Sequence, residues 1–405
     1  MVSSYVVGYA VAGSSVIAAT WFIREWYTNG PLKPKNELPA SLKGKLFVVT
    51  GGGSGLGEHV TRTLAQKQAT VVMANRDYEA CKLLRRILVS DTGNKHLFCR
   101  TCDLGSFDST RSCAKFLIKR SEPIECLIVN AAAKRPERRL AENGVEINWA
   151  VNHLGHFLLT NLLVDKMRHQ TTPSRVVVVD CMHDADRGEL NFDNLNSDQG
   201  YDFHGAYRQS KLANVAFAKE LARRCEGSNV QVVLVEVAGR HGFLRKTKLD
   251  ESLAMLQSRL SGVFFRPFRW FVSRDTAAAA QYVVYAATSG DLTNGQRIQD
   301  KSEIAYPPSA EHHVTRLRLW LTDERWSQLD GQKAQLYTEL VHDDNERRER
   351  AKYASDAKKE WQRKALTDET RAFVRQMYQQ TVINAPNERA TPAGGTAPRP
   401  WYRFW

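Results

Sequence analysis

The sequence lacks any compact cluster of basic residues interleaved with aromatics, although its balance is strongly basic. Lys plus Arg number 57 against 44 Asp plus Glu, a formal charge of +13. Such a balance suits nucleic acid, an anionic membrane surface or acidic protein partners. With the charges dispersed, nucleic acid comes last, and none is assigned as a partner. Cysteine is sparse and odd in number, at seven: Cys81, Cys99, Cys102, Cys113, Cys126, Cys181 and Cys225. The one Cys-x-x-C, Cys99 to Cys102, lies in an apolar, strand-like run, where alternation turns the two thiols to opposite faces. No second pair, and no histidine pair at ligand spacing, completes it, so zinc is not expected. The pattern suits a reducing compartment better than a disulfide framework, with the thiols as small buried hydrophobes. His183, His312 and His313 also lack neighbours at ligand spacing, so the metal assignment is none.

What is present is ordinary for a globular chain: 42 % apolar and 25 % charged residues over 405 positions. That excludes a collagen-like, fully disordered or wholly membrane-embedded protein. The length allows one large α/β domain with extensions, or two ordinary domains.

Residues Val2 to Ile23 carry no charge, and Arg24 and Glu25 follow. A spanning helix needs about 20 predominantly apolar residues. The stretch is long enough but diluted by Ser3, Ser4, Ser14 and Ser15. Gly8 and Ala12 would let another helix approach closely. Trp21, Trp26 and Tyr27 sit where interfacial aromatics belong. With no basic segment ahead of it, this is a poor secretory signal, and a single uncleaved anchor over residues 1–30 is expected. Lys33, Lys35, Lys43 and Lys45 follow, which places the main domain on the cytosolic or matrix side. Residues 31–42 read as a linker.

From Lys43 the pattern changes. An apolar run, Leu46 to Val49, leads into Thr50-Gly51-Gly52-Gly53-Ser54-Gly55-Leu56-Gly57, then a helical stretch to about Gln68 and a second apolar run, Thr70 to Ala74. Glycines without Cβ atoms allow a tight turn and close approach to a pyrophosphate, which meets the free N–H groups of the helix start. After the second strand an acid would bind ribose hydroxyls. Asn75-Arg76-Asp77 stands there instead, and Arg76 suits a 2′-phosphate, favouring NADP(H) over NAD(H). The alternative for this segment is a helix cap with a solvated Arg. Further apolar runs, His96 to Cys102, Leu127 to Ala131, Arg175 to Asp180 and Val230 to Val237, alternate with helical segments. A doubly wound, Rossmann-type α/β sheet of about seven parallel strands is expected over 43–330.

Later motifs strengthen this. Thr50 to Gly57 matches T-G-x-x-x-G-x-G. Val151-Asn152-His153-Leu154-Gly155-His156-Phe157-Leu158-Leu159-Thr160 follows at the right distance, and Tyr207-Arg208-Gln209-Ser210-Lys211 supplies Y-x-x-x-K. From about Lys43 to Leu329 the chain resembles a short-chain dehydrogenase/reductase of the retinol-dehydrogenase-like branch. Tyr207 and Lys211 share one helix face at i, i+4. An ammonium near a phenol favours the phenolate, so the tyrosine can exchange a proton with an alcohol or carbonyl near neutral pH. The resemblance implies that Lys211 also binds the nicotinamide ribose, that Asn152 holds a water linking the lysine to solvent, and that Asp103 and Leu104 lie along the adenine. The candidate coenzyme-binding residues are therefore Gly51, Ser54, Gly55, Leu56, Gly57, Arg76, Asp103, Leu104, Asn130, Tyr207 and Lys211. The candidate catalytic residues are Tyr207, Lys211, Asn152 and Cys181.

Three positions depart from that pattern. The serine pair after the fifth strand reads Asp180-Cys181, and a thiol is a weak donor. Losing one polarising donor costs about 10²–10³ in rate. Asn-Ala-Gly after strand four reads Asn130-Ala131-Ala132, which places a methyl where the coenzyme approaches. Pro-Gly after strand six reads Ala238-Gly239.

Residues 244–272 occupy the family's variable substrate region. Leu260 to Phe271 mixes large apolar groups with arginine, fitting a lipophilic cleft, a membrane interface or a buried closing helix. Residues Ala277 to Ala287 read as a core helix. Beyond 330 the chain is charged and helical to about 380, then extended, and ends in Trp401-Tyr402-Arg403-Phe404-Trp405. Residues 331–405 thus form an extension suited to a protein partner. Two functions follow. One is a membrane-anchored NADP(H) oxidoreductase acting on a lipophilic, retinoid- or steroid-like alcohol or carbonyl. The other is a degenerate relative serving as a nucleotide-holding subunit of a membrane complex. The reading leans to the enzyme, in the mitochondrial inner membrane or the endoplasmic reticulum, with the high pI tilting to the former.

Overall fold

The computed structural model describes residues 38–181, 188–237, 244–245 and 274–353. The anchor expected over 2–23, nearly all of the 244–272 region, the turn at Ala238-Gly239, His183 and the aromatic tail lie outside the described residues. Among the described residues no helix is long and apolar enough to cross a membrane.

The apolar runs form strands where expected. They are β1 (Leu46–Thr50), β2 (Thr70–Asn75), β3 (Leu97–Thr101), β4 (Ile124–Val129), β5 (Ser174–Asp180) and β6 (Val230–Glu236). β7 (Arg297–Gln299) and β8 (Ser302–Glu303) complete one eight-stranded sheet in the order β8-β7-β6-β5-β4-β1-β2-β3. Seven strands are parallel, and β8 pairs antiparallel with β7. The eighth strand was not expected. It returns through Asp300 and Lys301, both at positive φ (50° and 72°). Two such residues make a tight hairpin turn, usually built from Asn or Gly. Asp-Lys carries no such signal.

Continuous apolar strands imply burial on both faces. In β1, Leu46 and Val48 join one core cluster, while Phe47 and Val49 join the other. The second cluster is covered by α1 (Gly55–Gln66), α2 (Tyr78–Thr92) and, later in the chain, α6 (Thr276–Thr288). The first is covered by α3 (Phe107–Ile118), α4 (Gly155–His169) and α5 (Phe203–Arg224). The short α7 (Pro308–Glu311) leads to α8 (His313–Ser327) and α9 (Leu329–Tyr353).

Packing runs straight through residue 330. Leu336, Tyr337 and Leu340 of α9 are fully buried in the first cluster. Along the flank Arg111 meets Gln332, Lys115 meets Glu339 and Asp343, and Lys119 meets Asp343. Lys333 and Tyr337 converge on Asp165 of α4. With Leu329 at its start also buried there, a mostly charged helix docks through four apolar positions and a ladder of ion pairs.

The cysteine reading is corrected. Cys81 of α2 and Cys99 of β3 are joined in a disulfide, and the other five thiols are free. Alternation does turn Cys99 and Cys102 to opposite faces. That same geometry aims Cys99 at α2, where Cys81 meets it across a Cα separation of 6.0 Å.

Candidate active site

The strand order reverses beside β1, which pairs with β2 on one side and β4 on the other. Crevices at the carboxyl ends of such strands bind ligands in open α/β sheets. Thr50, the last residue of β1, organises this one. Its hydroxyl accepts from the backbone N–H groups of Asn130 (2.8 Å) and Ala131 (3.1 Å). With both lone pairs used, its one proton faces two acceptors, His156 Nε2 at 2.9 Å and the Ile128 carbonyl at 3.2 Å. The Asn130 amide also donates to the Thr50 carbonyl at 2.9 Å. The ends of β1 and β4 are thereby clamped together.

The glycine turn is built for close approach. Gly51 and Gly55 have φ of 66° and 55°, in the left-handed region that favours glycine. A Cβ on Gly57 would stand 2.1 Å from the Gly51 carbonyl oxygen, so α1 rests directly on the turn. Ser54 occupies the N-cap of α1 without a side-chain cap bond, and Leu56 is buried beneath. Asn75 braces the turn by accepting from Gly53 N at 3.0 Å, while its buried Nδ2 has no partner among the described residues. An uncapped helix start, a Cβ-free cradle and an unpaired buried amide together fit a dinucleotide phosphate. Arg76 stands exposed just past β2, and among the described residues no carboxylate pairs with it. Asp77 caps α2 by accepting from Ala80 N, as the capping alternative for this segment expected. Asp103 is half-buried and accepts from Gly105 N at 3.0 Å. The Leu104 carbonyl would lie 2.1 Å from a Cβ on Gly155, which seats α4 against that loop. Ala132, where crowding was expected, is exposed.

At the next strand ends, β5 delivers Cys181 and α5 delivers Tyr207. The Cys181 Sγ and the Tyr207 hydroxyl are 3.0 Å apart. Tyr207, Ser210, Lys211 and Asn214 fall at i, i+3, i+4 and i+7, one face of α5, and all are buried. Asp202 fixes the start of this helix by accepting from His204 N and Gly205 N. Lys211 Nζ lies 3.4 Å from the Val179 carbonyl. Asp180, fully buried, accepts from Cys181 N at 2.8 Å and pins the backbone that presents the thiol.

Asn152 lies in a π-helical stretch, Ala150–Leu154, just ahead of α4. Such insertions recur at functional sites. Its side chain accepts from Ala133 N and donates to the Ala133 carbonyl and Ser210 Oγ. Its own carbonyl takes Asn214 Nδ2 (2.8 Å) and His156 Nδ1 (2.9 Å). Asn152 therefore ties the loop after β4 to α5. His153 continues the network, bonding Asn214 Oδ1 and the buried Asp323 of α8 at 2.8 Å. Burial raises the Asp323 carboxyl, and His153 opposes that shift.

Five participants were given no role from the sequence: Thr50 as a clamp, His153, His156, Asn214 and Lys134. The histidines belong to the quoted Val151–Thr160 segment. Only the π turn, invisible in sequence, shows that they brace it. Lys134 lies between motifs. Its ammonium is 3.2 Å from His204 Nδ1 and 4.8 Å from the centroid of the Tyr207 ring. No described cluster of His, Cys, Asp or Glu has the arrangement to hold a metal ion.

His156 carries a pH prediction. Burial is the largest cause holding it down to about 3, from an ordinary 6.5. Below about pH 6.5 the unfolded chain takes up this proton and the folded chain does not. Stability is lost as pH falls from 6.5 toward 3, with a slope of about one proton from this group. Denaturant unfolding of wild type and His156→Gln across that window measures it. The variant's slope is expected to be shallower by close to one proton, and equal slopes would refute the assignment.

Comparison with known proteins agrees with this geometry. The family model for short chain dehydrogenases matches residues 45–248. Mouse retinol dehydrogenase 13 is 34 % identical over 327 residues, covering 80 % of this chain and 94 % of its own length. Human retinol dehydrogenase 11 is 38 % identical over 300 residues, covering 74 % and 89 %. Among solved structures, an uncharacterised protein from Mycobacterium paratuberculosis superposes with a TM-score of 0.57 at 27 % identity, covering 72 % of this chain and 96 % of that one. The Pseudomonas aeruginosa RhlG/NADP complex gives 0.50 at 21 % identity, covering 64 % and 95 %, a likeness of fold alone.

Proposed function

This chain belongs to the short-chain dehydrogenases, in the retinol dehydrogenase branch, and from that premise we propose that it is an NADP(H)-dependent oxidoreductase. It interconverts an alcohol and a carbonyl on a lipophilic, retinoid-like substrate. The observation that carries this is the 3.0 Å approach of Tyr207 hydroxyl and Cys181 thiol beside the glycine crevice.

The nicotinamide, when bound, supplies or accepts the hydride. Tyr207 gives or takes the proton at the substrate oxygen. Lys211, one turn on, favours the anionic ring and anchors the ribose. Cys181 donates weakly to the substrate oxygen, where the family carries serine. Asn152 positions the loop after β4 against α5 and serves the proton path of Lys211. Gly51, Ser54, Gly55, Leu56 and Gly57 hold the pyrophosphate, Asn130 lines the crevice, Asp103 and Leu104 border the adenine, and Arg76 takes the 2′-phosphate.

Residues 2–23 anchor the chain in the mitochondrial inner membrane or endoplasmic reticulum, and residues beyond the docked part of α9 serve a protein partner. A second reading, a catalytically silent subunit that keeps its nucleotide, rests on Cys181 standing in for serine.

The test uses full-length protein in mild detergent, with retinal and NADPH or retinol and NADP+. Turnover is expected with the phosphorylated coenzyme. Arg76→Ala should raise KM for NADPH by at least about tenfold, the worth of a charge-assisted phosphate contact, and leave NADH unaffected. Equal loss with both coenzymes would remove the NADP(H) assignment. Tight NADPH binding without turnover on any carbonyl would favour the silent subunit.

A further inference from the structure

Lys134 is an anomaly. It is a half-buried ammonium, and among the described residues it makes no ion pair with a carboxylate. Burial is the first cause pulling its pKa below the ordinary lysine range, with Cys181 and Asp202 opposing. A lysine held where its charge is disfavoured needs a reason to be there. The surroundings supply one: its Nζ lies over two aromatic rings, 4.8 Å from the centroid of Tyr207 and 5.3 Å from that of Phe203. Its hydrogen bond to His204 Nδ1 fixes that position, and Asp202 holds His204 by capping α5. From below, Asn152 grips both polar groups of the Ala133 backbone, one residue before Lys134. The loop that carries the lysine is thus tied to the same asparagine that ties α5.

We propose that Lys134 is a second positioning cation for Tyr207: held over the ring face, its ammonium stabilises the deprotonated ring together with Lys211. A cation is attracted to the face of a neutral ring and more strongly to one that carries the phenolate charge. Among the described residues, the groups facing this ring are Cys181 at its hydroxyl, Lys134 over its face, His204 beside that lysine, and Lys211 one turn along α5. Asp202 and Arg208 act on the same corner through the fields they exert on Lys134 and His204. With a weak thiol in place of a hydroxyl donor, more of the transition-state burden falls on the tyrosine. A second cation lets it release and regain its proton nearer neutral pH. This rests on the dehydrogenase reading for its use but not for its test.

The test is a pH titration of phenolate absorbance on the full chain, taking the difference between each protein and its Tyr207→Phe counterpart. The difference isolates one phenol among 13 tyrosines. Lys134→Met should move that ionisation upward by about one pH unit or more. Lys134→Arg, which keeps the charge, should restore most of it. Where turnover is measurable, the tyrosine-dependent limb of kcat/KM should move in parallel. An ionisation unmoved by Lys134→Met, in a protein whose melting temperature is unchanged, overturns the proposal. So would Lys134→Arg behaving like Lys134→Met. Absent turnover alone would count against the oxidoreductase assignment and leave the titration to decide this one.

Discussion

Tyr207→Phe should lower kcat/KM for carbonyl reduction by about 10³-fold, the worth of a positioned general acid, and weaken coenzyme binding by far less, by about the tenfold that one lost hydrogen bond is worth. The substitution removes one oxygen from a ring that is 5 % exposed, so shape and packing survive. Lys134 still stacks on the ring and α5 still presents Lys211. What disappears is the oxygen 3.0 Å from Cys181 Sγ. The thiol that remains donates poorly and cannot replace it. Parallel initial-rate and coenzyme-titration measurements separate chemistry from binding. Wild-type rates in the variant would end the assignment of Tyr207.

Gly57→Ala should weaken coenzyme binding by about 10–100-fold, if an overpacking strain of about 1–3 kcal/mol falls on the cradle. The added methyl would meet the Gly51 carbonyl oxygen at 2.1 Å, the Gly51 carbonyl carbon at 2.8 Å and Asn130 Nδ2 at 2.7 Å. Two of these are backbone and cannot swing aside. α1 must lift from the turn, carrying its N-terminal N–H groups away from the phosphates. Gly93→Ala is the control. Gly93 caps α2 at φ 67° with nothing within 4 Å of an added Cβ, so it perturbs the backbone without touching the crevice. Calorimetric titration with NADPH distinguishes them. Similar binding by the two variants would show that the turn tolerates relaxation.

The parts of the fold legible in sequence are those with one physical solution. Strands buried on both faces, such as β1 and β5, must be apolar throughout. A turn that supports phosphates must drop its Cβ atoms at Gly51 and Gly57. A helix that serves chemistry along one face repeats at i, i+3 and i+4, as Tyr207, Ser210 and Lys211 do. Elements stabilised by long-range partners were not legible. The docking of α9 depends on Arg111, Lys115 and Lys119, more than 200 residues away. Its own sequence shows a charged helix with few anchors. The Cys81–Cys99 bond depends on how α2 lies against β3, and β8 on a hairpin turn without glycine. In the site, Tyr207 and Lys211 share the buried face of α5 that their i, i+4 spacing implied, and Cys181 Sγ stands 3.0 Å from the Tyr207 hydroxyl. Lys134, Thr50 and His156 act through neighbours that only folding supplies.

The ladder along α9 also gives the molecule a polarity. Gln332 pairs near the middle of α3 and Asp343 at its end, so α9 runs in the same sense as α3. Helices following parallel strands start at the carboxyl ends of those strands and finish at the amino ends. The described part of α9 therefore finishes toward the pole opposite the crevice. It braces the flank formed by α3 and α4 and leaves the mouth of the crevice to the loops after β1, β4 and β5.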